Sequence, residues 1–325
     1  MSSQTMKNTI AMIWDFDKTL IPNYMQLPLF RKYNIDEKQF WSEVEQLTIR
    51  YGEQGIKANP DTSYLNHLIT YANEGYCAGL NNQVLRSLGR ELPFFDGMPA
   101  FLEKVKHLIA DNPTYDTFDL KVEHYIVSTG LTEMIKGSQI ADYVDGIWGC
   151  EFIENPLIPS NDGLILKSNT NRQITSIAYA IDNTSKTRAI FEINKGVNKY
   201  PDINVNQKMR EEDRRVPFDN MIYIADGPSD IPAFSVVKNG GGKAFAVYQK
   251  DSIKSFQQVK KLLDSQRVDM FGEADYREGS LTYLWLTEQV KEIAERVVER
   301  KRQVFLKGKN GVPTHINENQ NKSTP

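Results

Sequence analysis

Three short apolar runs, each stopping at a cluster of polar residues, constrain this chain more than any other feature. The first, Ile10-Ala11-Met12-Ile13-Trp14, ends at Asp15-Phe16-Asp17-Lys18-Thr19-Leu20. The second, Tyr125-Ile126-Val127, ends in Ser128-Thr129-Gly130, and the third, Met221-Ile222-Tyr223-Ile224-Ala225, in Asp226-Gly227-Pro228-Ser229-Asp230. Short, continuously apolar runs read as strands buried on both faces, the habit of parallel sheets covered by helices. A further run, Ala244-Phe245-Ala246-Val247, and amphipathic segments through Phe101, Leu102, Val105, Leu108 and Ile109 and through Ala189, Ile190 and Ile193 complete the alternation. The pattern predicts an α/β fold with a mainly parallel sheet, whose sites lie at the C-terminal ends of strands.

The 325 residues are about two average domains, and the spacing says where the excess goes. Asp15 and Ser128 are 113 positions apart, far beyond the roughly 30 residues of one βαβ crossover, so an insertion is required between them. From Pro22 to about Phe95 the periodicity is helical: Phe40, Val44, Leu47 and Tyr51 share a face, as do Leu65, Leu68, Ile69 and Ala72. Pro93, Gly97 and Pro99 punctuate its end. Trp148 to Phe152 and Gly163 to Leu166 read as strands, joined through Asn-Pro and Asn-Asp-Gly turn chemistry. Leu286, Val290, Ile293 and Val297 mark a long C-terminal helix. The reading divides the chain into a core at 1–21 and 96–265, a helical insertion at 22–95, a helical extension at 266–305, and a polar tail at 306–325 expected to be disordered.

Charge narrows the partners. With 39 Lys+Arg against 42 Asp+Glu the formal net charge is -3, so no nucleic acid is held by bulk positive charge and any bound anion needs a local site. The basic residues of the last helix, such as Arg296, Arg300 and Lys301, interleave with Glu292, Glu295 and Glu299 as a solvated, salt-bridged face. No apolar run approaches the roughly 20 residues of a membrane span, and Met1 to Thr9 do not read as a secretory signal. Cys77 and Cys150, far apart, read as buried thiols, and the expectation is a cytoplasmic protein. His67, His107, His124 and His315 are dispersed without metal-ligand spacing. Gly240-Gly241-Gly242-Lys243 fails as a phosphate loop because Val237 and Ala244 stand where Gly and Ser or Thr are needed.

The order D-x-D-x-T-L at 15–20, a strand ending in Ser128, Lys186 near a helix start and D-G-x-x-D at 226–230 resembles the haloacid dehalogenase-like hydrolase superfamily over roughly residues 10 to 250. The resemblance implies a three-layer, Rossmann-like parallel-sheet core with an α-helical cap inserted after the first motif. The excursion before Lys186 is similar to that of the phosphoserine phosphatase-like branch. Asp15 is then the nucleophile, forming an aspartyl phosphate that splits one hard displacement into two. Asp17 is general acid and then general base, and the resemblance adds its peptide carbonyl as a metal ligand. An anionic nucleophile attacking an anionic phosphate requires a cation; Asp15 and Asp226 offer hard oxygens suited to Mg²⁺, with Asp230 supporting the site or its loop and Gly227 allowing a tight turn. Ser128 and the amides of Thr129 and Gly130 would bind the phosphoryl oxygens and Lys186 their remaining charge, with Arg188 and Lys195 as its competitors.

This reading expects a Mg²⁺-dependent phosphomonoesterase of a small phosphorylated metabolite, with no nucleic-acid or membrane partner and an open oligomeric state. A phosphotransferase or mutase using the same aspartyl phosphate, and a catalytically silent binding protein of the same fold, stand as alternatives. Two departures argue against L-phosphoserine as substrate. Tyr24 occupies the position nine after the nucleophile where phosphoserine phosphatases carry Glu, and Ser229 stands where Asn usually precedes the last Asp. Tyr24 and Arg50 are candidate substrate-selecting residues of the insertion.

Overall fold

The computed structural model describes residues 7–161, 163–166 and 172–309. The chain opens with β1 (Thr9–Trp14), and four helices follow: α1 (Leu27–Tyr33), α2 (Glu37–Glu53), α3 (Pro60–Asn73) and α4 (Asn82–Gly89). Next come α5 (Ala100–Ala110), α6 (Pro113–Thr117), β2 (Lys121–Leu131) and α7 (Thr132–Gly137). An excursion then runs through β3 (Gly146–Ile153), the hairpin of β4 (Leu157–Ser160) and β5 (Gly163–Leu166), and β6 (Ser176–Tyr179). The last part alternates: α8 (Ser185–Lys195), β7 (Met221–Ala225), α9 (Ile231–Asn239), β8 (Lys243–Tyr248), α10 (Ile253–Asp264), β9 (Met270–Glu273) and α11 (Leu281–Lys309).

Among the described residues the main sheet has seven strands in the order β6-β3-β2-β1-β7-β8-β9. All neighbours are parallel except the edge pair β3 and β6. Alternation along each strand splits the core into two layers. Ile10, Met12 and Trp14 of β1 join Phe101 and Val105 of α5 and Leu286 and Val290 of α11. Ala11 and Ile13 join Ala189 and Ile193 of α8, Phe234 of α9 and Val259 of α10 on the other face. The expected three-layer α/β core is therefore the observed one. Chain order reverses direction across β1, with β2 and β3 on one side and β7, β8 and β9 on the other, which opens a crevice at the C-terminal ends of the central strands.

Register aims the motifs. Trp14 lies opposite Ile126 of β2 and Ile224 of β7, so Asp15, Ser128 and Asp226 emerge almost level. The helical stretch is fastened next to them by α4 and α7, which cross backbone against backbone: a Cβ on Gly89 would overlap the Met134 carbonyl, and one on Gly137 that of Arg86. Buried His124 in β2 is fully paired, with Trp14 Nε1 donating to Nδ1 at 3.3 Å and Nε2 bonding the Leu102 carbonyl at 3.0 Å.

Some expectations change. β2 does not end before Ser128 but continues to Leu131 through an irregularity between Val127 and Leu131. The stretch 266–305, read as a helical extension, opens with β9, a strand of the main sheet. The helix read as ending at 305 continues as α11 to Lys309, and the rest of the expected tail, 310–325, lies outside the described residues. Among the described residues no helix is long and apolar enough to cross a membrane.

Candidate active site

Asp15 follows β1 directly, and its amide bonds the Ile224 carbonyl of β7 at 2.9 Å, which continues the sheet one residue past the strand. Its carboxylate is buried, accepting from Thr19 Oγ1 at 3.2 Å and from Lys186 Nζ at 2.7 Å. Lys186 comes from the first turn of α8 and is 1% exposed. Its ammonium also lies 2.7 Å from Asp230 Oδ1. Asp230, fully buried, accepts further from Tyr223 Oη at 2.6 Å and Ser229 Oγ at 2.9 Å. Residues 15, 186 and 230 thus form one buried ionic cluster. Arg188 instead pairs with Glu192 at 2.9 Å, and Lys195 donates to the carbonyls of Val205 and Gln207.

Asp226, at the end of β7, completes a group of carboxylates. Ligand oxygens of Asp15, Asp226 and Asp230 lie within 4.8 Å of one another. Burial pushes the Asp15 carboxyl up to about 6 against the opposing charge of Lys186. Burial, with the charges of Asp15 and Asp230, pushes Asp226 up to about 8. Burial disfavours the Lys186 ammonium, but Asp15 and Asp230 outweigh it and hold the amine protonated. Three carboxyl groups around one ammonium make an all-oxygen donor set of the kind that suits a hard divalent cation such as Mg²⁺, beside which the raised Asp226 carboxyl would ionise.

Asp17 sits apart from that trio. Its Oδ1 accepts the Met25 amide at 3.0 Å, and burial, reinforced by the Asp15 charge, raises its pKa well above the usual carboxylate range. Between the two aspartates and their helix the chain turns at Lys18, a non-glycine residue in the left-handed region at φ 59°. Ser128 is buried, and its Oγ accepts the Gly130 amide at 3.0 Å, so the amide expected to face phosphate is already engaged within the loop. The Thr129 carbonyl is taken by Tyr64 Oη of α3 at 2.8 Å. Gly227 is not a left-handed turn residue: its backbone is extended at φ -165°, and the missing side chain makes room for Gln258, whose amide donates to the Asp226 carbonyl at 3.1 Å.

Of the two candidate selecting residues, Tyr24 is placed beside the motifs. Lys18 Nζ lies 3.8 Å over its ring, which packs at 5.8 Å on Trp41, itself 5.8 Å from Tyr64. An aromatic wall therefore runs from the Asp17 loop to the Ser128 loop. Arg50 is exposed in the last turn of α2, and among the described residues no hydrogen bond or ion pair joins it to the motifs. Sequence reasoning missed Tyr223, Tyr64 and Trp41. Tyr223 carried a signal: a phenol inside a wholly buried strand needs a hydrogen-bond partner.

No protein-family model matches the chain. An uncharacterized protein of Borreliella burgdorferi is 38% identical over 288 residues, which span 87% of this chain and 97% of that one. Among solved structures, a HAD family hydrolase from Salmonella enterica serovar Typhi is 14% identical with a TM-score of 0.47, covering 81% of this chain and 66% of its own. A phosphoserine phosphatase in apo form is 12% identical with a TM-score of 0.47, over 81% of this chain and 92% of its own. The Borreliella match, at 38% identity over 87% of this chain and 97% of that one, places the chain in one family with that protein.

Proposed function

We propose that the chain is a Mg²⁺-dependent phosphomonoesterase acting on a small phosphorylated metabolite through an aspartyl phosphate on Asp15. The observation that supports this most is the buried cluster itself: Lys186 Nζ 2.7 Å from Asp15, and the oxygens of Asp15, Asp226 and Asp230 within 4.8 Å, where β1 and β7 end. Those three side chains would hold the cation, with the Asp17 carbonyl added by the family resemblance. Once bound, the cation would supply the positive charge that lets a carboxylate approach a phosphate.

The chain's own groups do the rest. An Asp15 oxygen attacks phosphorus, and the bond to the ester oxygen breaks as the new P–O bond forms. Asp17, whose carboxyl burial favours in the protonated form and the Met25 amide orients, passes its proton to the departing oxygen. It then takes a proton from the water that cleaves the acyl phosphate, which restores Asp15 and releases inorganic phosphate. Ser128 and Lys186 hold the phosphoryl oxygens. Helices α1 to α4 act as the cap, with the aromatic wall of Tyr24, Trp41 and Tyr64 facing the leaving group; Arg50 is a weaker candidate on its exposure. This chemistry requires neither nucleic acid nor membrane and suits a cytoplasmic enzyme.

The test is turnover of 4-nitrophenyl phosphate and a panel of metabolite phosphate esters by the purified chain. Activity should require Mg²⁺, stop with a chelator and fall by about 10³-fold or more in Asp15→Asn. Absence of metal-dependent turnover across the panel overturns the proposal.

A further inference from the structure

We propose that the end of α11 and the N-terminal edge of the sheet form a second ligand site, built for a single-chain amphiphilic anion such as a medium- or long-chain carboxylate. A cavity of about 650 Å³ lies there among the described residues, within the roughly 300–1,000 Å³ usual for small-molecule sites. Its lining includes Lys7 just before β1, Phe118 before β2 and Asn220 before β7, so it opens at the edge of the sheet opposite Asp15.

Much of the wall is apolar, from Phe118, Pro217, Val297, Val304 and Phe305. The charges lining it are unbalanced: Lys7, Arg300, Lys301 and Arg302 against Glu212. Arg300 is committed to Asp219 at 2.7 Å. Lys301 and Arg302 flank the Phe118 ring, each 6.0 Å from its centroid, and Lys301 Nζ donates to the Phe118 carbonyl at 2.7 Å. Among the described residues neither has a carboxylate within ion-pair distance, and the Asp119 charge that reaches Lys301 belongs to a carboxylate already paired with Lys121. Burial lowers the Lys301 pKa, and the Asp119 charge offsets this only in part. Two cations without a close carboxylate, beside an aromatic floor at the rim of an apolar cavity, complement an anionic head on an apolar chain. A nucleotide fits less well, because beyond Thr117 and Asn220 the wall offers its base few polar partners.

Titration calorimetry of the full chain with octanoate, decanoate and dodecanoate, each below its micellar concentration, tests this. Burial of the chain predicts affinity rising roughly fourfold per methylene. Arg302→Glu should weaken dodecanoate by about tenfold or more through loss and reversal of one charge, with the melting temperature and aryl phosphate turnover unchanged. Val304→Glu, on the exposed surface of α11 and lining the cavity, should do the same. Dodecyltrimethylammonium should not bind. The proposal is overturned by no binding to the full chain, by affinity independent of chain length, by equal binding of the cationic amphiphile, or by association with phosphatidylglycerol vesicles without binding of free carboxylates.

Discussion

Replacing Lys186 with methionine removes the cation buried between two carboxylates while keeping a long, flexible side chain in its place. Lys186 Nζ lies 2.7 Å from both Asp15 Oδ1 and Asp230 Oδ1, and the three side chains are almost sealed from water, at 1%, 8% and 0% exposure. Methionine adapts to fill the space, so the cavity contribution is small. The loss is electrostatic. Removing one partner of a buried pair costs about 3–5 kcal/mol because the other charge is stranded, and the bonds from Thr19, Tyr223 and Ser229 keep the loss within that range despite two stranded carboxylates. The pH dependence has a definite sign. Asp15 already sits at about 6 in the folded protein, above its ordinary value, although Lys186 pulls it down; without that ammonium it rises further. A carboxyl raised on folding is protonated first in the folded state as pH falls, so the variant regains stability relative to wild type between pH 8 and pH 5. Urea unfolding in chelator at both pH values measures this. The expected deficit is about 3–5 kcal/mol at pH 8, shrinking by about 1 kcal/mol or more at pH 5. A deficit below about 1 kcal/mol at pH 8, or one that grows with acid, would refute a buried ionic cluster.

Two further measurements probe the scaffold that positions the site. Burial pushes His124 down to about 3, so between pH 6.5 and 3 the unfolded chain binds a proton that the folded chain does not. Stability relative to His124→Asn should therefore fall by about 2–3 kcal/mol on going from pH 7.5 to 4.5, and a flat difference in urea-derived stability rejects the neutral, doubly bonded imidazole. Gly137→Ala would press a methyl into the Arg86 carbonyl where α7 crosses α4. A loss of about 1–3 kcal/mol is expected, and an unchanged urea midpoint would mean that the two helices separate at no cost.

The motif strands were legible because they are buried from end to end: β1 and β7 have no exposed residue, so their sequences are unbroken apolar runs. β6 and β9 were not. Each has four residues at an edge of the sheet, partly exposed, and Ser176-Ile177-Ala178-Tyr179 and Met270-Phe271-Gly272-Glu273 lack both a run and a clean alternation. Helix α10 carried a readable start, Ser252 capping the Ser255 amide, yet its apolar face is thin, with Val259 and Leu262 as its buried residues. The site divides along the same line. Asp15, Asp17, Asp226 and Asp230 announce themselves through short spacings at strand ends, whereas the Tyr24, Trp41 and Tyr64 wall is assembled from an N-terminal loop and two separate helices. No local pattern encodes that meeting.

The choice of Lys186 among the basic candidates lies between these cases, and helical geometry bears on it directly. Along α8 the residues at 186, 189, 190 and 193 follow the spacing i, i+3, i+4 and i+7, which stacks them on one face. Ala189, Ile190 and Ile193 are the apolar members of that face, and Lys186 is buried with them. At about 100° per residue, Arg188 and Lys195 lie some 180–200° around from Lys186 and point away from the core. Order along the chain alone left three basic candidates, but a lysine on the buried face of a helix must bring its counter-charges with it, since an unpaired ammonium there would be too costly to keep. Asp15 and Asp230, delivered to that face by β1 and by the turn after β7, are those counter-charges. The charge on α8 and the carboxylates at the strand ends therefore stabilise one another in the fold itself, which leaves the Asp15 carboxylate oriented and largely dehydrated at the mouth of the crevice.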